Sequence, residues 1–514
     1  MNFKVPIILI IIFVLAVFLR FLYFPNDIYF GIDQATGSFA VKEILNGQPK
    51  LIGPSTSFPG LRHGVLYYYL YAPFYLFANG DPSYAAAFLR VINASGVFLI
   101  FTLGAIIFNR YVGILAAFLF AVSFEQTQFA LYFNHPSLSI MSILLMYLGL
   151  ALLVFRKKVY GLIIALVGLG LSIQFEFIFT HLFIPFIIII FSFRKSIPHL
   201  SFKVLSLGSI IFLLTVATFI VAEIKFSFRS VHLLPQLLFS QNDKSLYKIF
   251  STYLFEMGQV IKFSLVGIDQ LRLPVGVILF SSFLTLIFSR IKKEIIFLAI
   301  WFFSAIIVYF VTGGDDIKVG ILQYHQNAGV SLSLIIFVSY ILYVIGRKTH
   351  YILTFIIIIS ISLLNFSNIQ KINPFGSMPE INAQSFMLLS DEKKILDYIY
   401  QNAAGKPFAV KAITLPFYIN TTWSYLFEWY GKQKYGYLPT WGGKNAIGYP
   451  GNLVVEEAQD KLSPKRYLII EPTRGIPAHL INEYLKEESY FTDLADEHKI
   501  GKFVVQIRKV KKTI

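Results

Sequence analysis

The chain has 514 residues, of which 56% are apolar and only 14% charged, with no Cys and a formal net charge of +16. Soluble domains carry roughly 25% charged residues, so this composition excludes a fold that hides all its apolar surface unaided, and lipid must cover part of it. The lack of Cys excludes disulfides, thiolate metal sites and cysteine nucleophiles. The basic residues gather in short loops between apolar runs, which argues against nucleic acid as the partner.

The first apolar run, Val5 to Phe24, is long enough to span a bilayer and is followed by no small-residue cleavage site, so it reads as an uncleaved helix. Spans need about 17–25 apolar residues. Candidates fall near 5–24, 84–108, 113–124, 136–155, 159–173, 177–193, 203–223, 272–289, 294–312, 328–345 and 350–366. This predicts a mainly α, polytopic membrane bundle of about eleven helices, forming a domain over residues 1–370.

The loops supply the orientation. Alternate loops hold Arg110; Arg156, Lys157 and Lys158; Arg194, Lys195 and Lys203; Arg290, Lys292 and Lys293; and Arg347 and Lys348. The intervening loops hold Asp33, Glu125, Glu176 and Asp315–Asp316. By the positive-inside rule, the N-terminus is cytoplasmic and the C-terminal region lies outside a multi-pass cell membrane. Residues 224–271 contain several Lys and Arg and depart from the bias, as long loops do.

Two segments are too short or too polar to count. Gly64 to Ala78 holds five Tyr and is interrupted by Pro73, so it reads as an interfacial or re-entrant helix. Phe250 to Val266 contains Glu256 and Lys262 and is expected on the membrane surface. Beyond residue 370 charged residues become frequent. Ser390–Gln401 and Pro477–Lys486 read as helices, and Phe408–Ile413, Tyr467–Ile470 and Phe503–Ile507 as strands. These predict a small non-cytoplasmic α/β domain over residues 380–514.

The first outer loop holds the sharpest chemistry. It reads Tyr29-Phe30-Gly31-Ile32-Asp33-Gln34-Ala35, then Gly60-Leu61-Arg62-His63-Gly64-Val65-Leu66-Tyr67-Tyr68-Tyr69-Leu70. A carboxylate at the water–lipid boundary is where a soluble acceptor meets a lipid-linked donor, and glycosyl transfer needs a base for the acceptor proton. Asp33 equally suits the N-cap of a helix over 34–45, and both readings stand at this point.

One N-terminal span, an Asp-Gln pair in the first outer loop and Arg-His-Gly-x-Leu-Tyr-Tyr-Tyr-Leu-x-x-Pro together resemble the GT-C superfamily of membrane glycosyltransferases. More narrowly, the chain is similar to the protein O-mannosyltransferase and aminoarabinose-transferase branch (glycosyltransferase family 39-like). Ala85-Ala86-Ala87-Phe88-Leu89-Arg90-Val91-Ile92-Asn93 and Asn134-His135-Pro136 share that resemblance, which carries motifs over roughly residues 1–190. It implies that Asp33 is the catalytic base. It further implies an enzyme moving a hexosyl or pentosyl group from a polyprenyl-phosphate donor to a glycan, lipid or protein acceptor outside the cell. Many members have Asp-Glu where this chain has Asp33-Gln34, and some have an acidic residue where it has His135. A second carboxylate or a bridged metal is therefore not indicated, and Glu125 and Glu176 are the available substitutes.

Cations for the donor phosphate are Arg62, His63, Arg90, Arg229, Lys262, Arg272, Lys318 and His325, each of which also suits snorkelling or contact with anionic lipid. Asn134, His135 and Glu176 are candidate pocket residues, with His181 as the local partner for Glu176. Gly313-Gly314-Asp315-Asp316 lacks the ending of a phosphate loop and reads as a solvated turn. The aromatic stretch from Trp423 to Trp441 suits packing better than sugar stacking. Two other classes fit the composition: a flippase of lipid-linked sugars and an envelope-assembly scaffold. The ionisable residues gather at span ends and there is no internal repeat, which disfavours the flippase.

Overall fold

The computed structural model describes residues 4–56, 60–233, 245–312, 324–348, 351–382, 384–472 and 475–511. The expected Gly313–Asp316 turn and Lys318 lie outside the described residues.

The membrane part runs α1 (Lys4–Phe21), α2 (Ile32–Leu45), α3 (Leu66–Phe77), α4 (Pro82–Ile107), α5 (Arg110–Val122), α6 (Phe124–Leu131), α7 (Ser139–Phe155), α8 (Tyr160–Phe175), α9 (Phe183–Ser192), α10 (Phe202–Thr215), α11 (Ala217–Lys225), α12 (Leu246–Ile261), α13 (Asp269–Ile287), α14 (Lys292–Phe303), α15 (Ile306–Thr312), α16 (Val330–Lys348) and α17 (Tyr351–Ile372). Among the described residues, six helices are long and apolar enough to cross a membrane, or up to eight if each of two bent pairs is one span. The bent pairs are α5 with α6, at 56°, and α10 with α11, at 62°. Val5–Phe21, Tyr160–Phe175 and Phe177–Ser192 are apolar but shorter than a span. A multi-pass bundle is therefore present, while a count of eleven full spans is not shown.

Local sequence explains the breaks. Asp81 caps α4 through the Ser83 amide, with Pro82 in the first helical position. Asn109 accepts from the amides of Tyr111 and Val112 to start α5. At the bend after α5, Ser123 accepts from the Gln126 amide and so starts α6. The main core joins α1, α4, α5, α7, α8, α12, α14 and α16 through residues such as Leu9, Val97, Phe120, Tyr147, Trp301 and Ile335. Tyr147 stacks on Trp301 with ring centroids 3.8 Å apart. Helix α13, in contrast, is unburied along its length and presents large apolar side chains, as expected beside lipid.

Helix α12 corrects the expectation of a surface helix over 250–266. One face, including Ile249, Tyr253, Met257 and Val260, is buried in the main core. Glu256 suggested a surface position, but its carboxylate is held inside by the amide of Asn327, 3.1 Å away. A π-helical turn, Lys262–Val266, follows.

The C-terminal part contains α18 (Leu389–Ala403), α19 (Thr421–Leu426), α20 (Lys432–Tyr435) and α21 (Ala478–Phe491). Its strands are β1 (Ala409–Ile413), β2 (Thr440–Gly442), β3 (Val455–Glu456), β4 (Lys465–Ile470), β5 (Thr492–Ile500) and β6 (Phe503–Val510). They form one mixed sheet in the order β3-β2-β1-β4-β6-β5. Strands β1 to β4 pair in parallel, while β6 runs antiparallel to β4 and β5. The sheet shares a second core with the first loop, in which Phe30, Phe39, Tyr67, Tyr71 and Tyr75 pack with Trp423, Tyr425 and Phe427. Tyr425 lies 5.7 Å from Phe30 and 5.3 Å from Phe39, and its hydroxyl donates to the Gly80 carbonyl. The aromatic stretch thus serves packing. Amides of Phe30 and Leu389 bond across to the carbonyls of Met387 and Ile28, tying the two parts together immediately before α2.

Candidate active site

Asp33 stands in the first turn of α2, but it does not cap the helix. Gly31 occupies the N-cap position, and its amide donates to Oε1 of Gln34 at 3.1 Å. The Gln34 amide in turn donates to the Phe133 carbonyl at 3.0 Å, fixing α2 against the segment that leads to His135. Among the described residues Asp33 makes no hydrogen bond or ion pair. It is accessible to water, yet the surrounding protein desolvates it and raises its carboxyl above the usual 3.8, opposed by His135.

Around it converge side chains from distant segments. Glu176 ends α8, and its Oε1 lies 3.1 Å from Nδ1 of His63 while its Oε2 lies 3.3 Å from Nδ1 of His135. The two imidazoles stand 4.3 Å apart, ring to ring. Gly64 allows this approach, because a Cβ there would fall 2.5 Å from the Gln174 carbonyl. His63 Nδ1 accepts from the Phe177 amide, and His135 Nδ1 lies 2.6 Å from the Phe175 carbonyl. Burial lowers the His63 pKa to about 3, opposed by Glu176 and helped by His135 and His325, so its imidazole is neutral. Glu176 therefore pairs with His63 and His135, not with the expected His181, whose Nδ1 contacts the Ile178 carbonyl instead.

His63, His135 and Glu176 each offer a ligand atom, all within 4.8 Å of one another. A neutral imidazole facing a carboxylate whose Oε2 has no hydrogen-bond partner among the described residues fits a divalent cation of the zinc type. Three protein ligands leave a position open for a substrate oxygen. The sequence flagged each residue singly; their convergence across 113 positions, from 63 to 176, left no local signal.

The other expected residues divide. Asn134 is buried, accepting from the His135 amide and donating to the Tyr132 hydroxyl, so it shapes the turn that presents His135. His325 reaches the same region: its ring lies 6.2 Å from that of Tyr132, and it interacts electrostatically with Glu176 and His135. Arg62 is exposed and donates to Ser55 at 2.6 Å. Tyr68 feels both Arg62 and Asp33. Arg229 is exposed and, from the segment after α11, reaches beside Gly60 of the first outer loop. Lys262 is paired with Asp269 at 2.9 Å, and Arg272 lies near the same carboxylate. Arg90 is the clearest departure from a phosphate ligand. It is 1% exposed and bonds both oxygens of Asp27, at 2.8 and 3.0 Å. The sequence had not flagged Asp27.

No family model matches the chain, and no curated protein matches it in sequence. Solved structures do match in fold. ArnT from Cupriavidus metallidurans, bound to undecaprenyl phosphate, superposes with a TM-score of 0.63 over 97% of each chain at 9% identity. The oligosaccharyltransferase AglB from Archaeoglobus fulgidus, in complex with an inhibitory peptide and a dolichol-phosphate, gives 0.50 over 92% of this chain and 70% of that one at 11% identity. Its apo form gives 0.50 at 12% identity. This chain therefore shares its fold with ArnT and, more distantly, with AglB.

Proposed function

We propose that the chain is an integral membrane glycosyltransferase that moves a sugar from a polyprenyl-phosphate donor to a glycan, lipid or protein acceptor. The observation that carries this reading is the unpartnered, water-accessible Asp33 beside the His63–Glu176–His135 cluster. A carboxylate left bare among so many available donors is suited to taking a proton. The bound lipids of the two fold relatives, undecaprenyl phosphate and dolichol-phosphate, support the donor class.

In this mechanism Asp33 accepts the proton of the acceptor hydroxyl or amine as its heteroatom attacks the anomeric carbon. The bond from that carbon to the phosphate oxygen breaks, and polyprenyl phosphate leaves with the electron pair. Arg62 and Arg229, exposed on or beside the 60–63 loop, hold the phosphate and stabilise its growing charge. His63, His135 and Glu176 would hold a divalent ion, which supplies further neutralisation of that charge when bound. The alternation of basic loops supports a reaction on the non-cytoplasmic side, carried out by a domain over residues 1–370 with a second domain over 380–514 outside the membrane.

The experiment reconstitutes the purified protein in vesicles with labelled undecaprenyl phosphohexoses and an envelope extract as acceptor. Transfer of label with release of undecaprenyl phosphate is expected. Labelled lipid crossing the bilayer intact, with no transfer, would replace this reading with a flippase.

A further inference from the structure

Helix α12 carries a row of polar side chains buried inside the bundle: Thr252, Tyr253, Glu256 and Gln259 are each at most 8% exposed. Positions 252, 256 and 259 recur at helical spacing, so they form one stripe. Among the described residues, Thr252 Oγ1, Tyr253 OH, Glu256 Oε1 and Gln259 Oε1 have no hydrogen-bond partner. Glu256 Oε2 accepts from Asn327, and Tyr309 donates to Asn327 at 2.8 Å. In the same turn Tyr324 donates to Glu125 at 2.6 Å, and Gln126 donates to Glu125 and to Ser331 while its own Oε1 stays bare. His325, whose Nδ1 is also bare, lies between Tyr324 and Asn327 and interacts with Glu176 of the active site.

Such a set is expensive to leave unfilled. A buried acceptor without a donor costs roughly 1–3 kcal/mol, and ionisable groups at membrane depth face a cavity or a partner. The bare atoms of the carboxylate and the two amides are acceptors, the imidazole Nδ1 donates or accepts according to its tautomer, and the rest are hydroxyls. Two carboxylates repel phosphate, so the complementary ligand is neutral or cationic and rich in O–H or N–H donors.

We propose that the α12 stripe, with Gln126 and His325, is the subsite for the sugar ring of the donor, holding its hydroxyl or amino groups while the phosphate stays with the arginines. This rests on the donor reading above. It assigns sugar selectivity to Thr252, Glu256 and Gln259, residues set apart from the Asp33 cluster.

The test measures binding of undecaprenyl phosphate, undecaprenyl phosphoglucose and undecaprenyl phosphomannose to wild type, Glu256→Gln and Thr252→Val in nanodiscs. Wild type is expected to prefer a sugar-bearing lipid over the bare lipid by about tenfold or more. Both variants should bind the bare lipid as wild type does and lose most of that preference. Glu256→Gln keeps an oxygen for Asn327, and Thr252→Val keeps the shape, so unchanged bare-lipid binding also reports intact folding. A preference retained in both variants, or equal binding of all three lipids by wild type, overturns the subsite and leaves the donor reading standing. Failure of wild type to bind any polyprenyl phosphate overturns the donor reading itself.

Discussion

Asp27 and Asp33 lie six residues apart in one loop and have opposite surroundings. Asp27 is 1% exposed and spends both oxygens on Arg90, whose guanidinium also donates to the Arg20 carbonyl, locking the end of α1 to α4. Asp33 has no hydrogen-bond or ion-pair partner among the described residues and stands open to water. The same side chain is a clamp where a bidentate cation fills its acceptor sites, and where none does it keeps the free oxygens that the proposed base role requires. A third case lies close by: Glu392 in α18 is fully buried with both oxygens unpartnered among the described residues, beside Glu471, and Tyr29 feels Asp33, Glu392 and Glu471 together.

Removing the clamp's cation gives the largest expected effect. Arg90→Leu leaves Asp27 as an uncompensated buried charge, costing about 3–5 kcal/mol, seen as a lower unfolding temperature in detergent. Adding Asp27→Leu should recover part of that loss. Weakened lipid-phosphate binding with unchanged stability would instead make Arg90 a donor ligand and dissolve the contrast with Asp33.

Next comes the pH dependence set by the C-terminal carboxylates. Burial pushes the Glu471 carboxyl up to about 7, against hydrogen bonds from Gln384, Leu415 and Trp423. Burial, then Glu471 and Asp391, also raise the Glu392 carboxyl well above its ordinary value, opposed by Lys393. Because the folded protein favours the protonated forms, this stabilisation is complete below about 4.5 and is lost as pH rises toward 7. For Glu471 the change is about 3 kcal/mol, and Glu471→Gln should flatten it in unfolding measured from pH 4 to 8. A stability that rises across that range would show these carboxyls to be ionised and paired.

Gln34→Ala is the mildest change, costing about 1 kcal/mol through loss of the cap and of the tie to Phe133. Transfer should fall as well, because that residue positions the turn bearing Asp33. Unaltered stability with unaltered transfer would mean that α2 is held by its packing alone.

Much of the fold was legible because lipid demands long apolar runs, and helices α18 and α21 and strands β1, β4 and β6 were readable from period, while the short helices α19 and α20 were not. Strands β2 and β3 are too short to carry a pattern, and β5 reads Thr-Asp-Leu-Ala-Asp-Glu-His-Lys-Ile, an exposed edge without apolar alternation. Helix α12 was misread because Glu256 signals a surface only until its distant partner Asn327 is known. In the site, Asp33, His63, His135, Glu176 and His325 each stood out as polar residues at span ends. Local sequence could not tell base from cap at Asp33, since the decision rests with Gln34 and Phe133. Nor could it remove Arg90 from the phosphate ligands, since its partner is 63 positions away.

The most direct measurement compares wild type and Asp33→Asn for both transfer from the labelled donor and affinity for undecaprenyl phosphate. Loss of transfer by at least about a hundredfold, with lipid affinity and unfolding temperature unchanged, is the predicted result. Full transfer by Asp33→Asn would contradict its role as the base.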